Sequence, residues 1–514
     1  MKKKETTEGI SRRGFIKNAA LGAGVVALAG AGLGVKETAA ALPPRKWDKE
    51  TDVVVVGAGG SGLCAAIEAA GSGAKVLLLE KMAAIGGDTI ISGSAVIAGG
   101  TSLQKKAGVE DSPERFYQDA LEDGRKHYSF IKRDTKILKI AYDKGPELVD
   151  WLMSLGVKFL DKPTKFLSPI PRIHYVAPGY RRGSPFLVGK LRDAAVNKGV
   201  NIMLQTKLVE LITDPQGPCA QKRVIGVTAQ DAKGKIMKIK ARRGVVLATG
   251  GFAKGQDLIK RYYPYLDGVR TLGAPGNTGD GIKAAQDIGA NLLLEYVNYG
   301  VETIFVGTQK GYSGGLPLTE APLIVVKKDG KRFIDETQGY NVVTKKMIGE
   351  GYKLAYWIFD ENSRKENEGI FKAIYDNDVI RAFPSLEALA AGMGLNASAL
   401  METVKTYNAD VEKGRDSEFG RTRLLKKIET PPFNVFEAEP AFYVTYGGLE
   451  INGESQVLNP LGKPIPSLYA AGEVCGCLGP QVNVRYGQLG GLAQGMIFGR
   501  IAGKNVAMEK PWRK

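Results

Sequence analysis

The residues best equipped for chemistry lie near the start of the chain. Gly57-Ala-Gly59-Gly60-Ser61-Gly62 follows four valines (53–56) and precedes an alanine-rich stretch, 63–70. Glycines at this spacing let the backbone turn tightly and approach a pyrophosphate. The helix that must start near Ser61 offers free N–H groups and the positive end of its dipole to that anion. A second apolar run, 76–79, ends in Glu80, 18 residues beyond Gly62. That is close to the roughly 20-residue spacing at which a carboxylate meets a ribose hydroxyl. These residues bind a dinucleotide; they break no bond themselves. To position them, the chain must place valines 53–56 and residues 76–79 as parallel strands of a covered sheet joined by the helix between them.

The segments that follow choose the dinucleotide. Glu80-Lys81 leads through Gly86-Gly87-Asp88-Thr89 to Ser92-Gly93. Further on stand Val245-Val-Leu-Ala-Thr249-Gly250-Gly251 and Gly276-Asn-Thr-Gly279-Asp280-Gly281. Near the end come Leu468-Tyr-Ala-Ala-Gly472-Glu473-Val474 and Leu489-Gly490-Gly491-Leu492. Over residues 50 to 508 this ordered set resembles the FAD-binding family of fumarate reductases, succinate dehydrogenase flavoprotein subunits, urocanate reductase and 3-ketosteroid dehydrogenases. The resemblance implies an α/β fold: a Rossmann-like FAD-binding domain split in sequence, with an inserted α+β capping domain. The FAD-binding parts are expected at 48–294 and 446–510, and the cap at 295–445. It also implies a non-covalent FAD, because no histidine follows Gly87-Asp88-Thr89 to carry a covalent link. Gly490-Gly491-Leu492 is expected to begin a helix whose N–H groups face the flavin.

The resemblance breaks down at the substrate residues. Fumarate-reducing members carry a cap arginine in T-E-A-x-R-G and paired histidines in H-H-T-M-G-G. Here the corresponding segments read Thr319-Glu-Ala-Pro-Leu323 and Tyr443-Val-Thr-Tyr446-Gly-Gly448. The chain has two histidines, His127 and His174, and neither falls at those positions. Tyrosines stand where the histidines are missing. Tyr299, Tyr446 and Tyr486, with Arg485, are therefore the expected catalytic set, and Tyr312, Arg181 and Arg182 are further candidates. A phenol can polarise a carbonyl or relay a proton. The expected activity is hydride transfer to an α,β-unsaturated acid or ketone. Ketosteroid-type dehydrogenation, and a flavin electron-transfer subunit with no small-molecule site, remain alternatives.

Composition narrows the setting. A chain of 514 residues can build two or three domains. Its 66 glycines concentrate in the ligand loops above. The four cysteines, Cys64, Cys219, Cys475 and Cys477, form neither a CxxCH haem site nor an iron–sulfur cluster pattern, and no metal site is expected. A formal net charge of +17 comes with no nucleic-acid-binding motif, so no nucleic acid partner is expected. Ser11-Arg12-Arg13-Gly-Phe-Ile-Lys17, a weakly apolar stretch and Ala39-Ala-Ala41 read as a twin-arginine signal over residues 1–41. Export with the cofactor already loaded, to a periplasmic or other extracytoplasmic site, is the expectation. NAD(P)H is scarce there, so a separate cytochrome or quinone-linked electron partner is expected.

Overall fold

The computed structural model describes residues 44 and 46–512 except 128–134, 166–167, 180–181, 215–222, 295–296, 305–310, 313–320, 339, 369–378, 446 and 477–490. For 123–127, 135, 297–304, 311–312 and 340–341 it describes the backbone alone. The signal expected at 1–41 lies outside the described residues. Among the described residues, no helix is long and apolar enough to cross a membrane.

Four successive valines have no polar face, so they fit only a strand covered on both sides. Lys49–Val56 is that strand, and Val53 to Val56 are buried. It lies parallel to Val76–Leu79, with Val56 opposite Leu79, and parallel to Ile236–Leu247, with Val56 opposite Leu247. Asn201–Met203 and Pro464–Ala470 extend the parallel sheet on its two sides. The full order is Gln456–Leu458, Pro464–Ala470, Ile236–Leu247, Lys49–Val56, Val76–Leu79, Asn201–Met203. The antiparallel pair Thr206–Thr213 and Val224–Asp231 joins it through Ile236–Leu247. Val56, Leu79, Leu247 and Ala470 thus finish along one edge, where open α/β sheets bind ligands.

Two helices cover one face at very close range. Gly60–Gly71 follows the glycine loop, and Gly491–Met508 closes the domain. A methyl on Gly499 would sit 2.3 Å from the Ser61 carbonyl oxygen, and one on Gly503 would sit 2.2 Å from that of Ala65. Residues four apart share a helix face, so these glycines let the two backbones touch. Alongside, Arg500 reaches Glu68 at 2.6 Å and lies over the Trp151 ring.

The second sheet is mostly antiparallel. Its long strand Phe433–Thr445 pairs with Val297–Ile304 on one side and Ala355–Phe359 on the other, and Ile324–Val326 follows Ala355–Phe359. Side-chain alternation gives it two apolar faces. Val325, Trp357 and Phe436 pack with Val343 and Met347 of helix Tyr340–Gly349. Ile324, Val326, Ile358 and Val435 pack on helices Leu386–Met393 and Ala397–Glu412. The sequence reads as one helix over 386–411. The structure divides it because Gly394 takes a left-handed φ of +64° and Asn396 caps the next helix, accepting from Ala399 N–H at 3.1 Å. Between the sheets, Leu292–Leu293 pairs with Gly448–Leu449 just outside the long cap strands, and Arg270–Thr271 adds to the second sheet beside Phe433–Thr445.

Candidate active site

A cavity of about 810 Å³ opens at the carboxyl edge of the parallel sheet. Its walls include Gly57, Gly59, Gly60, Ser61, Glu80, Lys81, Gly87, Asp88, Thr89, Ser92 and Gly93 from the first half of the chain. Thr249, Gly250, Asp280, Gly472, Glu473, Gly491 and Leu492 come from later segments. Three expected residues support the wall from behind. Gly62 packs against the Gly57 carbonyl oxygen, where a methyl would lie at 1.8 Å. Gly86 N–H donates to Ala58 O at 2.9 Å. Gly251 sits against Glu473 and Thr445. Gly490 lies outside the described residues.

The loop glycines divide by what limits them. Gly57 has a φ of +102°, and a methyl there would meet Ala248 O at 2.2 Å, so protein alone demands glycine. Gly59 has ordinary extended backbone, and a methyl on it would meet no protein atom nearer than Gly86 O at 3.8 Å. The open space above Gly59 faces the cavity, so what it accommodates is a ligand that approaches the backbone. Thr249 also lines the cavity, but its Oγ1 is buried against Gly281 and is not turned to the open space.

The acidic residues are fixed by local donors. Glu80 accepts from Ala58 N–H and from Met82 N–H, both at 2.8 Å, which ties the glycine loop to the second strand. Lys81 Nζ donates to Thr278 Oγ1 at 2.6 Å and to Asp280 at 2.7 Å. Burial opposes ionisation of Asp280, yet Lys81, aided by Lys207, holds its carboxyl below the usual range. Thr89 Oγ1 accepts from Gly60 N–H at 2.9 Å and joins the 86–89 turn to the first helix.

Other wall residues were not among the expected site residues. Met82 to Ile85, Thr206, Leu208, Leu272 to Asn277, Tyr443 and Val444 all line the cavity. Thr206 and Leu208 belong to a strand that alternates as any half-buried strand does. Tyr443 is held at the cavity by the long cap strand Phe433–Thr445. Among the expected catalytic residues, Tyr446, Arg485 and Tyr486 lie outside the described residues, as does Arg181. Tyr299 is placed by its backbone alone, in Val297–Ile304 opposite Phe442; Tyr312 is likewise a backbone position, opposite Thr303. Arg182 is exposed and is not part of the cavity wall. Cys64 is buried in the first helix, where burial raises its thiol pKa. Cys475 is at the cavity, and Cys477 lies outside the described residues.

A profile of the family described as FAD binding domain matches residues 52–484. The chain is 33% identical to an NADH:fumarate oxidoreductase of Klebsiella pneumoniae (strain 342), over 89% of this chain and 48% of that protein. It is 32% identical to a fumarate reductase (cytochrome) of Shewanella frigidimarina, over 92% and 79%. The chain therefore spans about half of the first relative and most of the second. Among solved structures, it resembles 3-ketosteroid-Δ4-(5α)-dehydrogenase from Rhodococcus jostii RHA1 in complex with 4-androstene-3,17-dione. That match has a TM-score of 0.71 and 28% identity, over 90% of this chain and 98% of the other. Gly59, open toward the cavity, fits a bound dinucleotide. With the matched profile and relatives it places the chain in the FAD-binding domain family of oxidoreductases, with FAD as its cofactor.

Proposed function

We propose that this protein reduces a carbon–carbon double bond conjugated to a carbonyl, in an α,β-unsaturated acid or ketone. The observation that carries this reading is the cap strand Phe433–Thr445, which brings Tyr443 and Val444 to the wall of the FAD cavity. A protein that only passed electrons would have no need of a second domain reaching the cofactor. Two relatives are fumarate reductases by name. This chain lacks the arginine and histidines of fumarate-reducing members, which supports a different acceptor.

Bound FAD supplies hydride chemistry at its isoalloxazine ring. The protein's part is to bind, orient and protonate. The diphosphate would be received at the N-terminus of Gly60–Gly71, above Gly59 and Ser61, where the helix dipole favours an anion. Glu80 has lone pairs left over for ribose hydroxyls, and Asp280 stays ionised beside Lys81. The N-terminus of Gly491–Met508 faces the cofactor, where it favours negative charge. Retention is non-covalent. Segment 295–445 acts as the cap, closing over bound substrate and excluding water. We assign carbonyl polarisation and proton delivery to Tyr299, Tyr446, Tyr486 and Arg485, and add Tyr443 to that set. An exported location, reached by the twin-arginine route, suits a separate cytochrome or quinone-linked electron donor.

Ketosteroid dehydrogenation is the second reading. It is favoured by Tyr443 at the cavity and by the likeness to a steroid-binding dehydrogenase over nearly its full length. The test is anaerobic. The holoenzyme is mixed with dithionite-reduced viologen, then with enoates and enones. Rapid viologen bleaching by one of them is the expected result. No bleaching by any of them, together with reduction of an artificial acceptor by a 3-ketosteroid, would overturn the proposal in favour of the second reading.

A further inference from the structure

Asp88 and Glu473 come from opposite ends of the chain and meet on one wall of the cavity. Asn277 joins them. Its Nδ2 donates to Asp88 Oδ2 and, at 3.3 Å, to Glu473 Oε2. Two carboxyls converging on one amide nitrogen are close enough to repel strongly if both are ionised. The other donors are neutral. Ala274 N–H reaches Asp88 Oδ1 at 2.6 Å, and Thr445 N–H reaches Glu473 Oε1 at 2.9 Å. The Thr445 hydroxyl lies 3.4 Å from that same oxygen while accepting from Phe252 N–H at 2.8 Å.

Among the described residues, two cations of the same segments are engaged elsewhere. Lys81 pairs with Asp280, and Lys254 donates to the Thr271 carbonyl at 3.0 Å. Among the described residues, neither Asp88 nor Glu473 forms a salt bridge. Glycine at 251 leaves the room that Glu473 occupies, because a methyl there would lie 2.2 Å from Glu473 Oε1.

We infer that Asp88 and Glu473 hold one proton between them and so present a single negative charge to FAD from this wall. The inference rests on FAD occupying the cavity, not on the identity of the substrate. Burial, then the charge and hydrogen bond of Asp88, push the Glu473 carboxyl well above the usual range, against donors from Thr445 and Gly251. Both residues are positioning residues. Losing the shared proton would add a second negative charge beside the FAD diphosphate and would oppose the charge gained on flavin reduction.

The structure makes a sharp distinction possible. Glu473→Gln leaves Asp88 as the single charge, whereas Asp88→Asn removes only the part of the Glu473 shift that comes from Asp88 and keeps the part that comes from burial. Glu473→Gln therefore keeps the charge of neutral pH and removes the titration, and Asp88→Asn moves the titration to lower pH. The experiment measures FAD dissociation constants from pH 7 to pH 9.5, with infrared spectra of the apo-protein and holoenzyme. We expect a carboxylic-acid C=O band at pH 7 that shifts when FAD binds, fades at alkaline pH, is absent from Glu473→Gln and fades at lower pH in Asp88→Asn. FAD affinity of the unaltered protein should fall with rising pH, by about tenfold for each unit by which FAD raises the pair's pKa; the fall should flatten in Glu473→Gln and begin at lower pH in Asp88→Asn. A band that persists in Glu473→Gln, or identical pH profiles for all three proteins, would overturn the inference. If neither variant folds, the unaltered protein still decides: no acid band at pH 7, or a band indifferent to FAD, also overturns it.

Discussion

The two kinds of loop glycine make a strong prediction. Gly59→Ala adds one methyl in a backbone conformation that alanine adopts freely, with no protein atom nearer than 3.8 Å. Two small effects on the apo-protein oppose each other. Alanine is a poorer N-cap than glycine by up to about 1 kcal/mol. Stiffening the unfolded chain returns about 0.4–1 kcal/mol. Apo-protein stability should therefore stay within about 1 kcal/mol of the original. The added methyl, however, lies where the cofactor's diphosphate must approach. Overpacking of that kind costs about 1–3 kcal/mol, which weakens FAD binding by about 5- to 150-fold. Gly62→Ala is the contrast. Its methyl would lie 1.8 Å from Gly57 O and 3.2 Å from Ala248 Cβ, and a methyl has no rotamer that avoids them. That variant should lose more than about 3 kcal/mol in the apo-protein itself. Urea unfolding of the apo-proteins gives one axis, and quenching of flavin fluorescence on titration gives the other. Unchanged FAD affinity in Gly59→Ala would refute the placement of the diphosphate. Equal destabilisation of the two apo-variants would refute the division between glycines that serve the fold and the one that serves the ligand.

Two further outcomes are expected. Gly499→Ala drives a methyl to 2.3 Å from Ser61 O and should cost about 1–3 kcal/mol, read by urea unfolding; no loss would mean that the two helices can separate freely. His174 accepts from the Thr101 hydroxyl through Nε2 at 2.8 Å and donates from Nδ1 to Val96 O at 3.2 Å, and burial brings its pKa down to about 4. Because the unfolded chain binds this proton more readily, stability falls as pH drops from about 6.5 toward 4, by about 2 kcal/mol at pH 5. In His174→Gln that slope should be missing, and an unchanged pH 7-to-pH 5 difference would exclude His174 as its source.

The reach of sequence reasoning followed the range of the interactions. Valines 53–56, the glycine loop and Glu80 were readable because one strand–turn–helix–strand unit carries both their structure and their chemistry. The break at Gly394-Leu395-Asn396 was missed because apolar residues continue at helical spacing through it, while one left-handed glycine and one capping asparagine end the helix. A buried ion cluster beside the second sheet shows how contacts far apart in the chain escape a local reading. Arg332 meets the nearby Glu336 at 2.9 Å, but its second partner, Asp416, and Arg421 on Glu336 come from far along the chain. Asp88 and Glu473 show the same limit at the site itself. Each was read separately as a cofactor contact, since each stands in its own glycine-rich motif. Their joint property, one proton between two carboxyls, depends on Asn277 and Thr445 bringing those motifs together. Motifs name the parts that touch a ligand, but the charge they present to it is decided by contacts between motifs.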